Sequence, residues 1–165
     1  MSDARGRSAA AIAPDPRSLI PGIERQLAQC RRYGQPLVVL SIGIDRLAGI
    51  DGQALQGREA AVSSELGNRL RARTRAKDSV VCLGPLEYCV LLPGCRPQAA
   101  GGARSRLSSA LGGVYALGGE QVFASVSIGL AHHTAGVDSG AALWEAAVRS
   151  RALSMDGSSR RMHFD

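Results

Sequence analysis

Arginine carries almost all of the positive charge of this chain, and one arginine, Arg75, stands three positions before an aspartate, Asp78. The formal net charge is +6, the isoelectric point is about 9.8, and Lys77 is the only lysine. An arginine fork recognises phosphates and guanine edges in a planar, two-pronged manner, so we expect an anionic partner: a nucleotide, a nucleic acid or an acidic protein. Arginine-rich composition also follows from genomic base bias, and Arg75 and Asp78 could be an ordinary surface pair with Arg75 near a helix C-terminus.

The cysteines and histidines show no spacing typical of a metal or redox site. The four cysteines lack a C-x-x-C motif, and most lie in or beside apolar segments, which predicts reduced core thiols. They are Cys30, Cys82, Cys89 and Cys95. His132 and His133 follow a predicted strand and are expected to be solvated loop residues.

Four segments have the apolar periodicity of amphipathic helices. They are Ser18 to Arg32, Gly52 to Arg73, Gln98 to Leu111 and Ser139 to Leu153. The third is the weakest, because Gly101 and Gly102 each cost up to about 1 kcal/mol relative to alanine.

Short apolar runs rich in β-branched residues alternate with these helices and predict strands. They are Leu37 to Ile44, a hairpin of Ser79 to Leu83 and Tyr88 to Leu92, Val122 to Ala131, and an edge strand at Arg161 to Phe164. Helices must then cover the faces of one sheet, which predicts an α/β sandwich.

The length of 165 residues suits one domain, here residues 15–165 after a flexible tail at 1–14. No apolar run reaches the roughly 20 residues of a membrane helix, and the first residues do not resemble a secretory signal. We therefore expect a cytoplasmic protein that does not associate with membranes. The start at Met1 favours a stand-alone domain.

Four landmarks in order make the chain resemble the GGDEF domain of bacterial diguanylate cyclases, which condense two GTP molecules into the second messenger cyclic di-GMP. Asp15 to Pro21 (DPRSLIP) is similar to the opening D-x-L-T-G-L-P. Arg31 to Leu37 with Ser41 to Leu47 (SIGIDRL) is similar to a helix end and a strand ending in D-x-D-x-F.

The other two landmarks lie further along the chain. Leu83 to Tyr88 (LGPLEY) with Val90 to Pro93 resembles the signature hairpin R-x-G-G-D-E-F and its following strand. Val126 to Ala131 (VSIGLA) resembles the V-S-I-G-V-A strand. The resemblance implies a mixed, mostly antiparallel five-stranded sheet flanked by helices, as in the nucleotide cyclase palm with its ferredoxin-like core.

The resemblance fails at the catalytic positions of the family. The two Mg²⁺ ligands, the first Asp of D-x-D and the acidic third signature residue, correspond to Gly43 and Leu86. Without these carboxylates a hard cation has no charged oxygen beside the triphosphate, so we predict that cyclase activity is lost and that no Mg²⁺ is bound. Pro85 replaces a signature glycine after Gly84, adding bulk and removing an N–H donor.

Other substrate positions have changed as well. The guanine-recognising Asn and Asp correspond to Asp51 and Ala60, and two lysines correspond to Ala48 and Ser154. Asp45 and Glu87 remain acidic. They could rescue a metal site, but structural roles are expected, Asp45 tying down the loop and Glu87 hydrogen-bonding in the hairpin before Tyr88.

The inhibitory product site of the family, R-x-x-D, is retained in register. Arg75-Ala76-Lys77-Asp78 begins nine positions before Gly84, as in family members. A second family arginine corresponds to Arg106, with Arg104 on the adjacent turn as a candidate accessory residue. The resemblance implies that an intercalated pair of cyclic di-GMP molecules binds here, bridging two copies or a copy and a protein partner.

Three functions remain open from the sequence. The first is a non-enzymatic cyclic di-GMP receptor that uses Arg75, Asp78 and Arg106 and needs no metal cofactor. The second is a protein-interaction scaffold that has lost nucleotide binding, and the third is a residual cyclase or GTP-binding domain. DNA is not expected as a partner.

Overall fold

A computed structural model describes residues 16–162, with side chains over 17–155. The predicted tail at 1–14, Asp15 of the first landmark and Phe164 of the predicted edge strand lie outside the described residues. Within the described part, no helix is long and apolar enough to cross a bilayer.

Four helices and five strands make up the fold. In chain order they are α1 (Leu19–Arg32, after a short 3-10 turn at Pro16–Ser18), β1 (Leu37–Ala48), α2 (Glu59–Arg73), β2 (Ser79–Gly84), β3 (Glu87–Pro93), α3 (Pro97–Leu111), β4 (Gly113–Leu117), β5 (Glu120–His132) and α4 (Gly140–Met162). The strands form one sheet in the order β2-β3-β1-β5-β4.

The sheet has helices on both faces and two hydrophobic cores. The core under α2 and α3 includes Leu66, Leu107 and Ile42, whereas the core under α1 and α4 includes Leu27 and Leu143. The central strand β1 is buried from residue 37 to 44 because both of its faces are covered. The predicted five-stranded α/β sandwich is confirmed, although every strand pairing is antiparallel, where a mixed sheet was expected.

The fifth strand is not the predicted one. Arg161 and Met162 lie in α4, which continues past the predicted end at Leu153, and the edge strand is β4 instead. Only Tyr115 of β4 is buried, so the segment lacks the alternating apolar pattern that would have indicated a strand.

The second helix begins at Glu59, seven residues after the predicted start at Gly52. Gly52 and Gly57 have φ angles of +79° and +80°, and Ala54 forms an isolated bridge with Ala48 of β1. The segment before α2 is therefore a loop that follows the end of β1, because left-handed glycines do not continue a helix.

Candidate ligand-binding site

The turn between α2 and β2 is held by hydrogen bonds that its own residues make. Thr74 Oγ1 donates to the Leu70 carbonyl at 2.8 Å, which satisfies a carbonyl in the last turn of α2. The Arg75 amide donates to Asp78 Oδ2 at 2.7 Å, and the Asp78 amide donates to the Arg75 carbonyl at 3.0 Å. The two residues of the R-x-x-D motif are thus joined through the backbone of Arg75, which leaves its side chain exposed.

A cavity of about 380 Å³ opens between this turn, the β3–α3 loop and one face of α3. All three predicted ligand contacts, Arg75, Asp78 and Arg106, line it. Arg104, the candidate accessory residue, does not line it. Residues far apart in the sequence thus converge on one cavity of a size typical of small-molecule sites.

The cavity is strongly positive. Five cationic side chains line it, with Asp78 as the acidic one, and they are Arg73, Arg75, Lys77, Arg96 and Arg106. Leu92, Ala103 and Leu107 add apolar surface to the lining. An excess of positive charge in a concave site concentrates anions and speeds their encounter.

Two of these cations lie beside glycines, one of them closely. Lys77 Nζ lies over Gly94, where an added Cβ would approach it to 2.9 Å, and Gly94 has a φ of +79°. Arg106 lies beside Gly102 on the preceding turn of α3, at 3.5 Å from an added Cβ. That distance is ordinary van der Waals contact, so the side chain of Arg106 would also fit beside an alanine at position 102.

Three cationic residues of the cavity were not predicted as site residues: Arg73, Lys77 and Arg96. The sequence signal for Arg96 is its spacing, because Arg96, Ala99, Ala103 and Arg106 recur at the three- and four-residue intervals of one helix face. Lys77 stands inside the R-x-x-D motif, between Arg75 and Asp78.

Cys95 also lines the cavity and remains a neutral thiol. Burial and the nearby Asp78 carboxylate raise its pKa above the ordinary value, against the opposing charges of Arg75, Arg106 and Lys77. A protonated thiol is a weak nucleophile, so Cys95 contributes shape and not reactivity. All four cysteines are free.

The signature hairpin is pinned to the sheet as a structural turn. The Ile44 amide donates to the Leu86 carbonyl at 2.9 Å, and the Leu86 side chain packs against the core under α2 and α3. Tyr88 is buried and its hydroxyl donates to the Ser63 carbonyl at 2.7 Å. Pro85 and Glu87 are exposed. Leu86, which corresponds to the acidic third residue of the signature, is thus the side chain of this turn that packs against the core.

The acidic and histidine candidates do not form a metal site. Within residues 16–162 as described, no three His, Cys, Asp or Glu side chains come together to hold an ion. Asp45 was expected to tie down a loop, but it accepts hydrogen bonds from Ser127 of β5 and Arg151 of α4. His132 is the last residue of β5, and both it and His133 are only half exposed.

No protein-family model matches the sequence, and no curated protein sequence matches it. Solved structures do match: a sensory box/GGDEF family protein from Caulobacter crescentus is 19% identical, with a TM-score of 0.71 over 86% of this chain and 92% of that one. The GGDEF domain of DgcB from Caulobacter crescentus, solved in complex with cyclic di-GMP, is 17% identical, with a TM-score of 0.66 over 86% and 82%.

The diguanylate cyclase SiaD from Pseudomonas aeruginosa, solved in complex with its activator SiaC, is 18% identical, with a TM-score of 0.71 over 94% of this chain and 62% of that one. These likenesses establish the fold. Across most of its length the chain has the five-stranded antiparallel sheet and four helices of a GGDEF domain.

Proposed function

We propose that this chain is a catalytically inactive domain of GGDEF fold that binds cyclic di-GMP in the cavity between the α2–β2 turn and α3. The observation that carries the proposal is that Arg75, Asp78 and Arg106 converge on one cavity. The lining of this cavity has five cationic side chains and one acidic side chain. The complex of the DgcB domain with cyclic di-GMP supports the choice of ligand.

The side chains suit both parts of this ligand. The guanidinium groups of Arg75 and Arg106 can donate to guanine O6 and N7 while their charge faces a phosphate. Asp78 uses Oδ2 to hold the turn, which leaves Oδ1 to accept from the guanine N1 and N2 hydrogens. The carboxylate therefore fixes the turn and contacts the base at the same time.

Loss of catalysis belongs to the same proposal. Gly43 has no side chain, the partly buried Leu86 side chain packs against the core, and Pro85 has no amide hydrogen, so none of these positions offers what an Mg²⁺-bound triphosphate needs. The domain then responds to the second messenger and does not make it.

The bound ligand is read out through a contact between two proteins. A cyclic di-GMP pair held by Arg75 and Arg106 presents its outer surface to a second copy of this chain or to a protein partner. SiaD, a diguanylate cyclase solved in complex with its activator SiaC, gives a precedent for a protein with this fold that has a protein partner. We propose a cytoplasmic setting without DNA or membrane binding.

Isothermal titration calorimetry of cyclic di-GMP tests the binding site. Wild type is expected to bind saturably, and Arg75→Ala is expected to raise Kd at least about tenfold, since a charge-assisted, two-pronged contact is lost. Arg149→Ala, an exposed arginine on α4, is the matched control and should change Kd less than about twofold. Absence of saturable heat with wild type would refute the receptor function.

A protein-interaction scaffold without ligand is the second candidate, and one surface favours it. Val114 of β4 and Phe123 of β5 are paired across the strands at the sheet edge, and each is 42% exposed. If wild type binds no cyclic di-GMP while a partner still recognises this edge, the scaffold function replaces the receptor function.

A further inference from the structure

The guanidinium of Arg151 fills a cleft between α4 and β1, directly above Gly43. A Cβ atom added at Gly43 would lie 1.9 Å from Nη2, 2.1 Å from Cζ and 2.7 Å from Nε of Arg151. All three distances are far below van der Waals contact. The arginine of α4 therefore occupies the space in which a side chain of β1 would otherwise stand.

A second glycine lets α4 approach closely enough for this. A Cβ atom added at Gly129 of β5 would lie 2.1 Å from the Ala147 carbonyl oxygen and 2.2 Å from the Arg151 amide nitrogen. The backbone of α4 thus rests on the backbone of β5, and the Leu130 amide donates to Ser150 Oγ at 3.0 Å. Gly129 allows α4 to pack closely on β5, and Gly43 leaves room for the side chain of Arg151.

Three polar side chains close a network in the cleft. Arg151 Nε donates to Ser127 Oγ at 2.9 Å, Ser127 Oγ donates to Asp45 Oδ1 at 2.8 Å, and Arg151 Nη2 lies 3.0 Å from the same Asp45 oxygen. The side chains of Arg151 and Asp45 are only 17% and 23% exposed. The network joins β1, β5 and α4, and it gives the Asp45 carboxylate a partly buried counter-charge.

The residues of the cleft do not fit a divalent cation. Gly43 stands where the family resemblance assigns a metal ligand, and it offers no side-chain oxygen. The remaining carboxylate, Asp45, already pairs with a guanidinium, and a second cation placed beside Arg151 would be repelled in this partly desolvated position.

We propose that Arg151 is the resident cation of this cleft, and that with Gly43, Asp45 and Ser127 it forms an ionic lock between α4 and the sheet that excludes divalent metal. The loss of the carboxylate at position 43 and the presence of an arginine at position 151 are two parts of one replacement. The lock lies on the sheet face that carries α1 and α4, so it stands whether or not the cavity beside α3 binds a ligand.

A double-mutant cycle between Gly43 and Arg151 tests the steric part, with stability measured by urea unfolding. Gly43→Ala must displace the guanidinium, so in wild type we expect it to lower the folding equilibrium constant at least about tenfold. In the Arg151→Ala background the same methyl group enters vacated space, and the loss should be less than about threefold. Equal losses in both backgrounds would overturn the lock.

The electrostatic part of the lock is tested by adding a small guanidinium compound to a variant that lacks the Arg151 side chain. Methylguanidinium should raise the Tm of Arg151→Ala saturably, because it can enter the cleft beside Asp45. It should not raise the Tm of wild type or of Arg149→Ala, the matched control from the same helix. If the three proteins respond alike, Arg151 holds no specific cation position.

A titration with Mn²⁺ followed by electron paramagnetic resonance tests metal exclusion on wild type first. Wild type should show no saturable Mn²⁺ site. A site in wild type that disappears in Asp45→Asn would overturn the proposal, since it would place a metal where the structure places Arg151. Failure of cyclic di-GMP binding would leave all three results unchanged, so the two proposals fail separately.

Discussion

At the scale of single residues, the buried thiol and phenol groups of the sheet link stability to pH. Burial raises the pKa of the Cys89 thiol from 9.0 to about 12, and burial also raises the pKa of Tyr88 above 10.0. Both groups are neutral in the folded protein at neutral pH. They ionise more easily in the unfolded chain, so alkaline conditions favour unfolding.

We therefore predict that the free energy of unfolding falls as the pH rises from 9 to about 12. A group with a raised folded-state pKa contributes its stability fully below the unfolded pKa and loses it between the two values, at up to about 1.4 kcal/mol per pH unit. Urea unfolding at a series of alkaline pH values measures this slope. Cys89→Ala should lower stability at neutral pH and give a shallower slope, whereas an unchanged slope would contradict the assignment to Cys89.

Arg69 is the residue that connects α2 to the edge of the sheet. Its guanidinium lies 3.8 Å from the Tyr115 ring centroid and donates to the carbonyls of Ala110 at 3.2 Å and Val114 at 2.8 Å. A stacked cation that also satisfies two carbonyls contributes more than an exposed ion pair.

We predict that Arg69→Met destabilises the protein by about 1 to 3 kcal/mol, because the stacking and both hydrogen bonds are lost. Hydrogen exchange should quicken first at the amides of β4 and at the end of α3. Arg149→Met is the control, because it makes the same substitution on an exposed face of α4. Uniform loss of protection across all strands would indicate a global effect and not a local one.

At the scale of elements, sequence patterns predicted the helices and strands that have a continuous buried face, and they missed β4, of which one residue is buried. The central strand and the hairpin have continuous apolar runs, and the structure has them within a few residues of the predicted bounds. β4 was missed because its exposed residues carry no pattern, and the start of α2 was misplaced because two left-handed glycines hold a loop there.

The elements that form the cavity were predicted better than its full lining. Arg75 and Asp78 were predicted from their register before the hairpin and Arg106 by counting from the signature, and all three line the cavity. The spacing of Arg96 with Ala99, Ala103 and Arg106 places it on the same helix face, but whether Arg96 and Lys77 line a cavity depends on the path of the β3–α3 loop around Gly94. Arg151 gave no signal at all, since its partner at position 43 is defined by a missing side chain.

At the scale of the whole molecule, positions 43 and 86, which correspond to metal ligands in the family resemblance, each depend on the residues around them. We predict no Mg²⁺-dependent consumption of GTP by wild type and none by the double variant Gly43→Asp/Leu86→Asp. Pro85 still removes a backbone donor, a side chain at position 43 has to compete with the Arg151 guanidinium for the same space, and a carboxylate at position 86 replaces a packed leucine. Nucleotide chromatography after long incubation measures this, and any cyclic di-GMP formed by wild type would show that the activity persists.

Ligand binding should also change assembly. If an intercalated cyclic di-GMP pair bridges two copies, sedimentation velocity should show a shift from monomer to dimer with ligand, and Arg106→Ala should reduce it. Arg149→Ala should behave as wild type. If calorimetry shows binding but sedimentation does not change, the outer surface of the bound ligand contacts a different protein and not a second copy of this chain.

The two glycines under α4 differ in how freely evolution can change them. A side chain at position 129 would meet helix backbone, which cannot move aside, whereas a side chain at position 43 would meet the end of a flexible arginine. Position 129 is therefore closed to substitution while α4 keeps its place, but position 43 is conditional on residue 151. A carboxylate introduced at position 43 would compete with the Arg151 guanidinium for the same space, so the order in which positions 43 and 151 change decides whether the intermediate is stable.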